Sequence, residues 1–492
     1  MARGLSKTRL MSFRQCPRRL WLETHRPGLA PPPDPATQAL FDTGHAIGTV
    51  AHRLYDRGAG ALVEYDGGLA AAMKMTDRLL RDPQVTPIFE ATFEREGLLV
   101  RTDVLERQDH ANRVVEVKAS TSVHEEHVDD CAIQAWVLEA TRARPRAIAL
   151  AHVHNQFVYG GDGNHAGLLV EQDVTAEALA RAGEVPKWLH SARGALVGEE
   201  PRVRHGSRCF KPYRCPFIGH CWPKAEFPLT DLPGVGRKLD DFVARGYADV
   251  RDVPEELISG TDQVRFWTAV RASRPEVDHA ALRAELAGLP YPRYHLDFET
   301  ISFAVPAWPG TRPYQQVPFQ WSLHVERSAQ GEPAHLDCLD LSGEAPMRHV
   351  ASRLVDAVGP VGPVFMYTGF ERQCLATLAA FCTDLAEPLG RIAARLLDLH
   401  PIVKRHYCHP DLHGSWSIKA VIPTIAPDMD YSRLDEIQEG GAAQRAYLEA
   451  IDPATPAPRR DAIRERLLRY CAHDTLAMVR LARWCAGSAG DA

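Results

Sequence analysis

The sequence predicts an α/β multidomain protein. Its 492 residues exceed what one hydrophobic core holds, and length alone points to about three domains. Short apolar stretches with period-two alternation (Leu98–Leu105, Arg113–Lys118, Tyr291–Thr300) recur between stretches of helical periodicity. No apolar run approaches the roughly 20 residues of a membrane-spanning helix, so no membrane partner is expected. The opening MARGLSKTRLMSFRQ is basic but has no apolar h-region, which makes a cytoplasmic protein the expectation. Eleven cysteines then favour free thiols or a metal site over a disulfide framework.

Taken in order, Ser6–Trp21 reads as a helix start interrupted at Cys16-Pro17, and Ala30–Pro35 is a proline-rich connector. From Thr37 an amphipathic helix carries Gly44, Gly48 and His52 at intervals of four, hence on one face. The glycines are expected to let it lie close to a sheet and present His52 to it. Glu90–Glu94 is a strand. Leu98–Leu105 and Arg113–Lys118 flank the turn-like Gln108–Asn112 and form a hairpin. Alternation puts Val115 and Val117 on one face of its second strand, and Glu116 and Lys118 on the other. The first strand brings Asp103 beside Glu116. Two converging carboxylates can hold a divalent cation, and a lysine two residues along can orient water or neutralise phosphate charge. In the helix DDCAIQAWVLE, Asp130 and Gln134 stand one turn apart, and Arg146–His154 is a further buried strand.

Cys209, Cys215 and Cys221 form a C-x5-C-x5-C run, and three thiolates need a fourth ligand, for which Cys16 is the natural candidate. Four thiolates suit zinc or an iron–sulfur cluster, and spacing does not choose between them. Net charge is −6, so no global polyanion binder is advertised, but two local stretches are basic. One holds Arg3, Lys7, Arg9, Arg14, Arg18, Arg19 and Arg26, the other Arg202, Arg204, Arg208, Lys211, Arg214 and Lys224. Together they could form one phosphate-facing patch.

Gly48 with His52, Asp103, Glu116-x-Lys118 and Gln134, with one early and three late cysteines, resembles the RecB-type PD-(D/E)XK nucleases, a restriction-endonuclease-like fold. The likeness is closest to the CRISPR-associated and AddB-like members and covers residues 1–226. It implies that Asp103 and Glu116 ligate Mg²⁺ or Mn²⁺, that His52 assists, that Lys118 serves the water and that Gln134 supports the site. It also implies a [4Fe–4S] cluster on Cys16, Cys209, Cys215 and Cys221, clamping the first and last segments together. The family often has a tyrosine shortly after the glutamine, where this chain has Val137 and Leu138.

Residues 227–287 are expected to be a small helical bridge. Pro233-Gly234-Val235-Gly236-Arg237-Lys238, between helix-like segments, resembles a helix–hairpin–helix whose glycines let backbone amides approach phosphate. In residues 288–492, YPRYHLDFET is a strand with Asp297 and Glu299 on one face, again paired metal ligands. PVFMYTGFERQCL gives a strand, a glycine turn and a helix starting near Glu371. A late helix sets Tyr470 and Asp474 four apart and therefore on one face. Asp297, Glu299, Glu371, Asp474 and Tyr470 resemble the tyrosine subclass of the DEDD (DnaQ-like) exonucleases, a ribonuclease H-like fold. Glu371 departs from the aspartate usual there. Asp398, Ser417 and Lys419 resemble secondary landmarks of the same family, with Lys419 a candidate phosphate contact.

The expectation is a metal-dependent DNA nuclease with two centres, acting on single strands or duplex ends in repair, processing or defence. The alternatives are an RNA 3′-end exonuclease and a nucleic-acid-binding protein with degenerate sites.

Overall fold

The computed structural model describes residues 4–108, 111–434 and 440–487, and its chain is α/β and multidomain, with two mixed sheets in two units. The first unit is Met1–Trp222 with Phe303–Tyr314, the second Pro223–Ser302 with Gln315–Ala492. The expected turn at residues 109–110 and the basic Arg3 lie outside the described residues.

In chain order the first unit holds β1 (Leu5–Ser6), α1 (Lys7–Gln15), α2 (Pro17–His25), α3 (Pro35–Tyr55), β2 (Ala61–Leu62), α4 (Leu69–Arg81), β3 (Ile88–Arg95), β4 (Leu98–Gln108) and β5 (Ala111–Lys118). After these come α5 (Glu125–Glu139), β6 (Pro145–Val153), β7 (Leu169–Asp173), α6 (Thr175–Ala182), α7 (Val185–Val197) and the single turn α8 (Ile218–Cys221). The sheet order is β2-β3-β4-β5-β6-β7, with β1 also paired to β4. Ser6 caps α1 by accepting from the Arg9 amide, and extended Cys16 followed by Pro17 ends that helix and begins α2. One apolar cluster joins Leu10, Leu20, Ile133, Trp136 and Trp188 to Phe93, Leu98 and Val100 of the sheet. Val104, Val115 and Phe89 face another cluster, and Ile47 and Val50 of α3 pack with Val117 and Val153.

One expectation for this sheet meets a correction. A Cβ at Gly44 or Gly48 would meet nothing within 4 Å, so close approach does not need those glycines. Ile47, Val50 and Ala51 are the residues of α3 that are buried. Alternation in β3 also breaks: Phe89 faces one cluster, whereas Ile88, Ala91 and Phe93 face the other. Glu90, between them, has a left-handed φ of +56°, which a non-glycine rarely adopts and which commonly marks a functional position.

The second unit opens with α9 (Leu239–Ala244), α10 (Thr261–Ala272), β8 (Glu276–Val277) and α11 (His279–Leu286). The segment before Gly234 is a single 3₁₀ turn, Leu229–Asp231, and not a helix, so the expected helix–hairpin–helix is not formed. Lys238 is turned inward as well, donating to the Leu257 carbonyl at 3.0 Å. Next come β9 (Arg293–Ile301), β10 (Val317–Glu326), β11 (Ala334–Leu339), α12 (Met347–Ala357), β12 (Val364–Met366), α13 (Phe370–Phe381), α14 (Ala386–Ala393), β13 (Leu396–Asp398), α15 (Leu399–His406) and β14 (Tyr407–Cys408). The last helices are α16 (Ile418–Ile425), α17 (Gly440–Ile451) and α18 (Ala457–Cys485). Strand order is β11-β10-β9-β12-β13, and β14 pairs with β8, tying residues 276–277 to 407–408. β9 is antiparallel to β10 and parallel to β12. β10 is buried along its whole length, as a central strand covered on both faces must be. The Trp321 indole donates to Val350 of α12 at 3.0 Å, and the Gln320 amide donates to Leu467 of α18 at 2.9 Å on the opposite face.

Just before β12, Gly362 has φ +92°, and a Cβ there would stand 1.9 Å from the Pro292 carbonyl oxygen. Gly362→Ala therefore has neither room nor an easy backbone. The variant is expected to lose about 2 kcal/mol or more of stability in chemical denaturation. A loss under about 0.5 kcal/mol would rule out this close approach.

Candidate functional site

In the first unit the ladder between β4 and β5 runs only from Gln108–Ala111 to Val104–Val115. One step beyond, the Val117 amide donates to Asp103 Oδ2 at 2.7 Å, so the carboxylate takes the hydrogen bond that the ladder drops. β1 pairs with β4 at Leu98 and Leu99, on the edge that β5 has left. Lys7 follows β1 directly and enters the gap. Its Nζ donates to Glu116 Oε1 at 2.9 Å and stands 3.3 Å from Asp130 Oδ1. Lys118 Nζ donates to Glu116 Oε1 and to Asp130 Oδ2, both at 2.6 Å, and the Gln134 amide donates to Glu116 Oε2. The structure thus gathers Asp103, Glu116, Lys118 and Gln134 as expected. It adds Asp130, which the sequence reading left without a role, and Lys7, which that reading placed in a basic phosphate-facing stretch.

Burial opposes charge on Glu116, yet Lys118 and Lys7 hold its carboxyl well below the usual range. Burial and the neighbouring Glu116 push Asp103 up to about 7. Burial likewise raises Asp130. The group is thus three acids against two ammoniums, with a proton on Asp103 at acidic pH. His52 stands apart: its ring packs on Phe89 at 4.5 Å, and its Nε2 is 3.9 Å from Glu90 Oε1. Arg101 holds the other Glu90 oxygen at 3.0 Å.

In the second unit, β9 presents Asp297 and Glu299, and β12 leads through Thr368 and Gly369 into α13, which starts one residue before Glu371. Glu371 hydrogen-bonds to Asp297, and its Oε2 is buried without a partner. From α18, Cys471 Sγ lies 3.5 Å from Asp297 Oδ2, and Asp474 accepts from the Tyr431 hydroxyl. Lys419 Nζ donates to the Tyr470 hydroxyl at 2.8 Å. Asp297, Glu299, Glu371, Lys419, Tyr470 and Asp474 line a cavity of about 370 Å³. Burial and Asp474 push Asp297 up to about 8, and burial raises Glu299, Glu371 and Asp474 as well. Asp398 caps α15 by accepting from the His400 amide at 2.9 Å, a structural role. Asp297, Glu299 and Cys471 bring ligand atoms within 4.8 Å of one another and could hold a metal ion.

Cys16, Cys209, Cys215 and Cys221 line one small cavity, with Arg18, Arg19, Arg204 and Arg208 around it. Burial raises the Cys215 thiol and pushes Cys221 up to about 11, against the pull of Arg18. Such thiols stay protonated until a metal's charge displaces the protons. Among the described residues, no three of these sulfurs lie within 4.8 Å of one another. The first basic stretch is largely neutralised internally: Arg14 pairs with Asp129, Arg18 with Glu200 and Arg19 with Glu23, at 3.0, 2.5 and 2.8 Å. The expected phosphate-facing patch therefore loses these side chains.

Residues 294–417 match the family model described as "Domain of unknown function (DUF2779)". The matched segment contains Asp297, Glu299 and Glu371 and stops before Tyr470 and Asp474. Among curated proteins none matches the sequence. A solved structure named "Crystal structure of SSO0001" is similar over 45% of this chain and 86% of its own, at 16% identity and a TM-score of 0.24. No helix among the described residues is long and apolar enough to cross a membrane.

The raised acids give a pH signature. Folded Asp297 keeps its proton to about pH 8, whereas the ordinary value is 3.8. Between those values the folded state binds more protons, so this contribution to metal-free stability is full below the lower value and lost as pH rises through the upper. Mn²⁺ needs the carboxylate, so its stabilisation grows across the same window. Thermal unfolding with chelator and with Mn²⁺, between about pH 6 and 9, is expected to show a widening gap. A gap independent of pH would remove Asp297 as a ligand.

Proposed function

We propose that the chain is a metal-dependent DNA nuclease with two active centres, a RecB-type PD-(D/E)XK domain and a DEDD exonuclease-like domain. The observation that carries this reading is convergence. In each unit, acids from different strands and helices meet beside a lysine, an arrangement suited to phosphodiester hydrolysis.

Asp103 and Glu116 would hold Mg²⁺ or Mn²⁺ in the first centre, and Asp297, Glu299 and Asp474 in the second. A bound divalent ion supplies Lewis-acid activation of water and of the phosphate. Lys118 can donate to a developing phosphoryl oxygen or fix the attacking water. Gln134 orients Glu116 by holding its second oxygen. In the second centre Tyr470, which accepts from Lys419, would position a water, and Glu371, longer than the usual aspartate, hydrogen-bonds to Asp297.

Cys16, Cys209, Cys215 and Cys221, gathered at one cavity, would hold a [4Fe–4S] cluster, with zinc as the alternative. Cys215→Ser is expected to lose bound iron and to lower the melting temperature by roughly 4–8 °C, the effect of ~2 kcal/mol on a domain of this size. Retention of both iron and melting temperature would exclude the cluster.

The activity test uses labelled single- and double-stranded DNA and matched RNA with Mn²⁺. Lys118→Ala and Asp297→Ala should each remove a distinct product pattern, by about 100-fold or more, and the double variant should be inactive. Intact substrates with every protein would sink the nuclease reading, and cleavage of RNA alone would transfer it to RNA.

A further inference from the structure

Helix α1 begins in one candidate centre and ends in another. Its first residue is Lys7, on Glu116 and Asp130 at 2.9 and 3.3 Å. Its last residue is Gln15, whose amide donates to the carbonyls of Arg208, Lys211 and Tyr213 at 2.9, 3.0 and 2.7 Å. Those carbonyls belong to the loop that carries Cys209 and Cys215, and the residue after Gln15 is Cys16. Partway along, Arg14 holds Asp129, the neighbour of Asp130, at 3.0 Å. A nine-residue helix spans only about 13 Å, so α1 is a short, stiff link between the two sites.

We propose that Lys7 is a positioning residue of the first active centre, and that α1, anchored at its far end by the cysteine loop, sets where its ammonium stands. The proposal rests on the nuclease reading of that centre. Lys7 has a specific electrostatic task. Asp103, Glu116 and Asp130 are three acids at close quarters, and Lys118 supplies one cation. The second comes from Lys7, whose side chain is 16% exposed, and it lands on the Glu116 oxygen that also takes Lys118. An ammonium there does two things. It keeps Glu116 and Asp130 from repelling each other apart, and it competes with a divalent ion for Glu116. Its loss should therefore tighten ion binding while spoiling the geometry that makes the bound ion useful. A lysine that merely stabilises the fold would produce neither combination.

The test uses the full chain in an Asp297→Ala background, which leaves the first centre to be read alone. Mn²⁺ binding is followed by calorimetry, DNA cleavage by product formation and folding by thermal denaturation. Lys7→Ala is expected to bind Mn²⁺ roughly threefold to tenfold more tightly and to cleave about tenfold more slowly. Lys7→Arg should restore most of the cleavage. Gln15→Ala should move both quantities in the same directions by less.

If Lys7→Ala leaves affinity and cleavage within about twofold, Lys7 has no part in the centre. Weakened Mn²⁺ binding with a lowered melting temperature and no rescue by arginine reduces it to a structural ion pair. Unchanged behaviour in Gln15→Ala removes the anchoring by the cysteine loop. If the background protein binds Mn²⁺ but cleaves neither DNA nor RNA, the nuclease reading of the first centre fails. The affinity change in Lys7→Ala then still decides whether its ammonium stands on the ion-binding carboxylates. A background protein that binds no Mn²⁺ overturns both.

Discussion

A carboxylate removed from water must be paired, protonated or bound to a cation, because an isolated buried charge costs far more than folding supplies. That constraint shapes both candidate centres, and each meets it differently. In the first unit Glu116 is 2% exposed and stays ionised because two ammoniums and an amide donate to it. In the second, burial raises all four acids; Lys419 opposes this at Glu299, and the Tyr431 hydroxyl and Lys419 oppose it at Asp474. A divalent ion at the first group would have to displace ammoniums from Glu116, whereas one at the second would have to displace protons from buried acids.

Sheet topology puts the acids where this conflict arises. In the first unit β1 and β5 share one edge of β4, so the ladder opens where Asp103 stands, and its carboxylate satisfies the orphaned Val117 amide. In the second unit β9 changes from an antiparallel neighbour to a parallel one, and Glu371 follows the carboxyl end of β12. Crevices at the carboxyl ends of parallel strands are where open α/β sheets bind ligands.

What the sequence made legible was local. Alternation sets Glu116 beside Lys118 and Asp297 beside Glu299, and helical periodicity sets Tyr470 beside Asp474. Hairpin pairing brings Asp103 to Glu116 because the two strands are adjacent in the chain. Lys7 was read as part of a basic stretch, and its pairing with Glu116 was missed because the contact spans 109 positions and depends on β1, a strand of two residues with no periodicity to read. Asp130 was placed on its helix one turn from Gln134, but its partnership with both lysines depends on the same long-range pairing. Basic residues near the start looked like a nucleic-acid surface because their partners, Asp129 and Glu200, lie far along the chain. The glycines of α3 misled for the opposite reason. Their spacing was regular, but no neighbouring backbone comes close enough to demand them.

The position of Glu371 shows how a change in side-chain length is absorbed. Asp398 fixes the turn before α13 by accepting from the Thr368 amide at 2.9 Å, so the start of that helix cannot slide toward β9. The extra methylene of glutamate spans the remaining gap and lets its carboxyl hydrogen-bond to Asp297. The helix amino terminus favours a negative charge at this place, but burial opposes it and wins, since the carboxyl is held well above its usual value. One oxygen is then left buried with no hydrogen-bond partner. Such an atom is costly in a closed core, but at the wall of a cavity a water, an ion or a substrate can complete it. Glu371 lines that cavity beside Asp297 and Glu299, although this oxygen is itself enclosed.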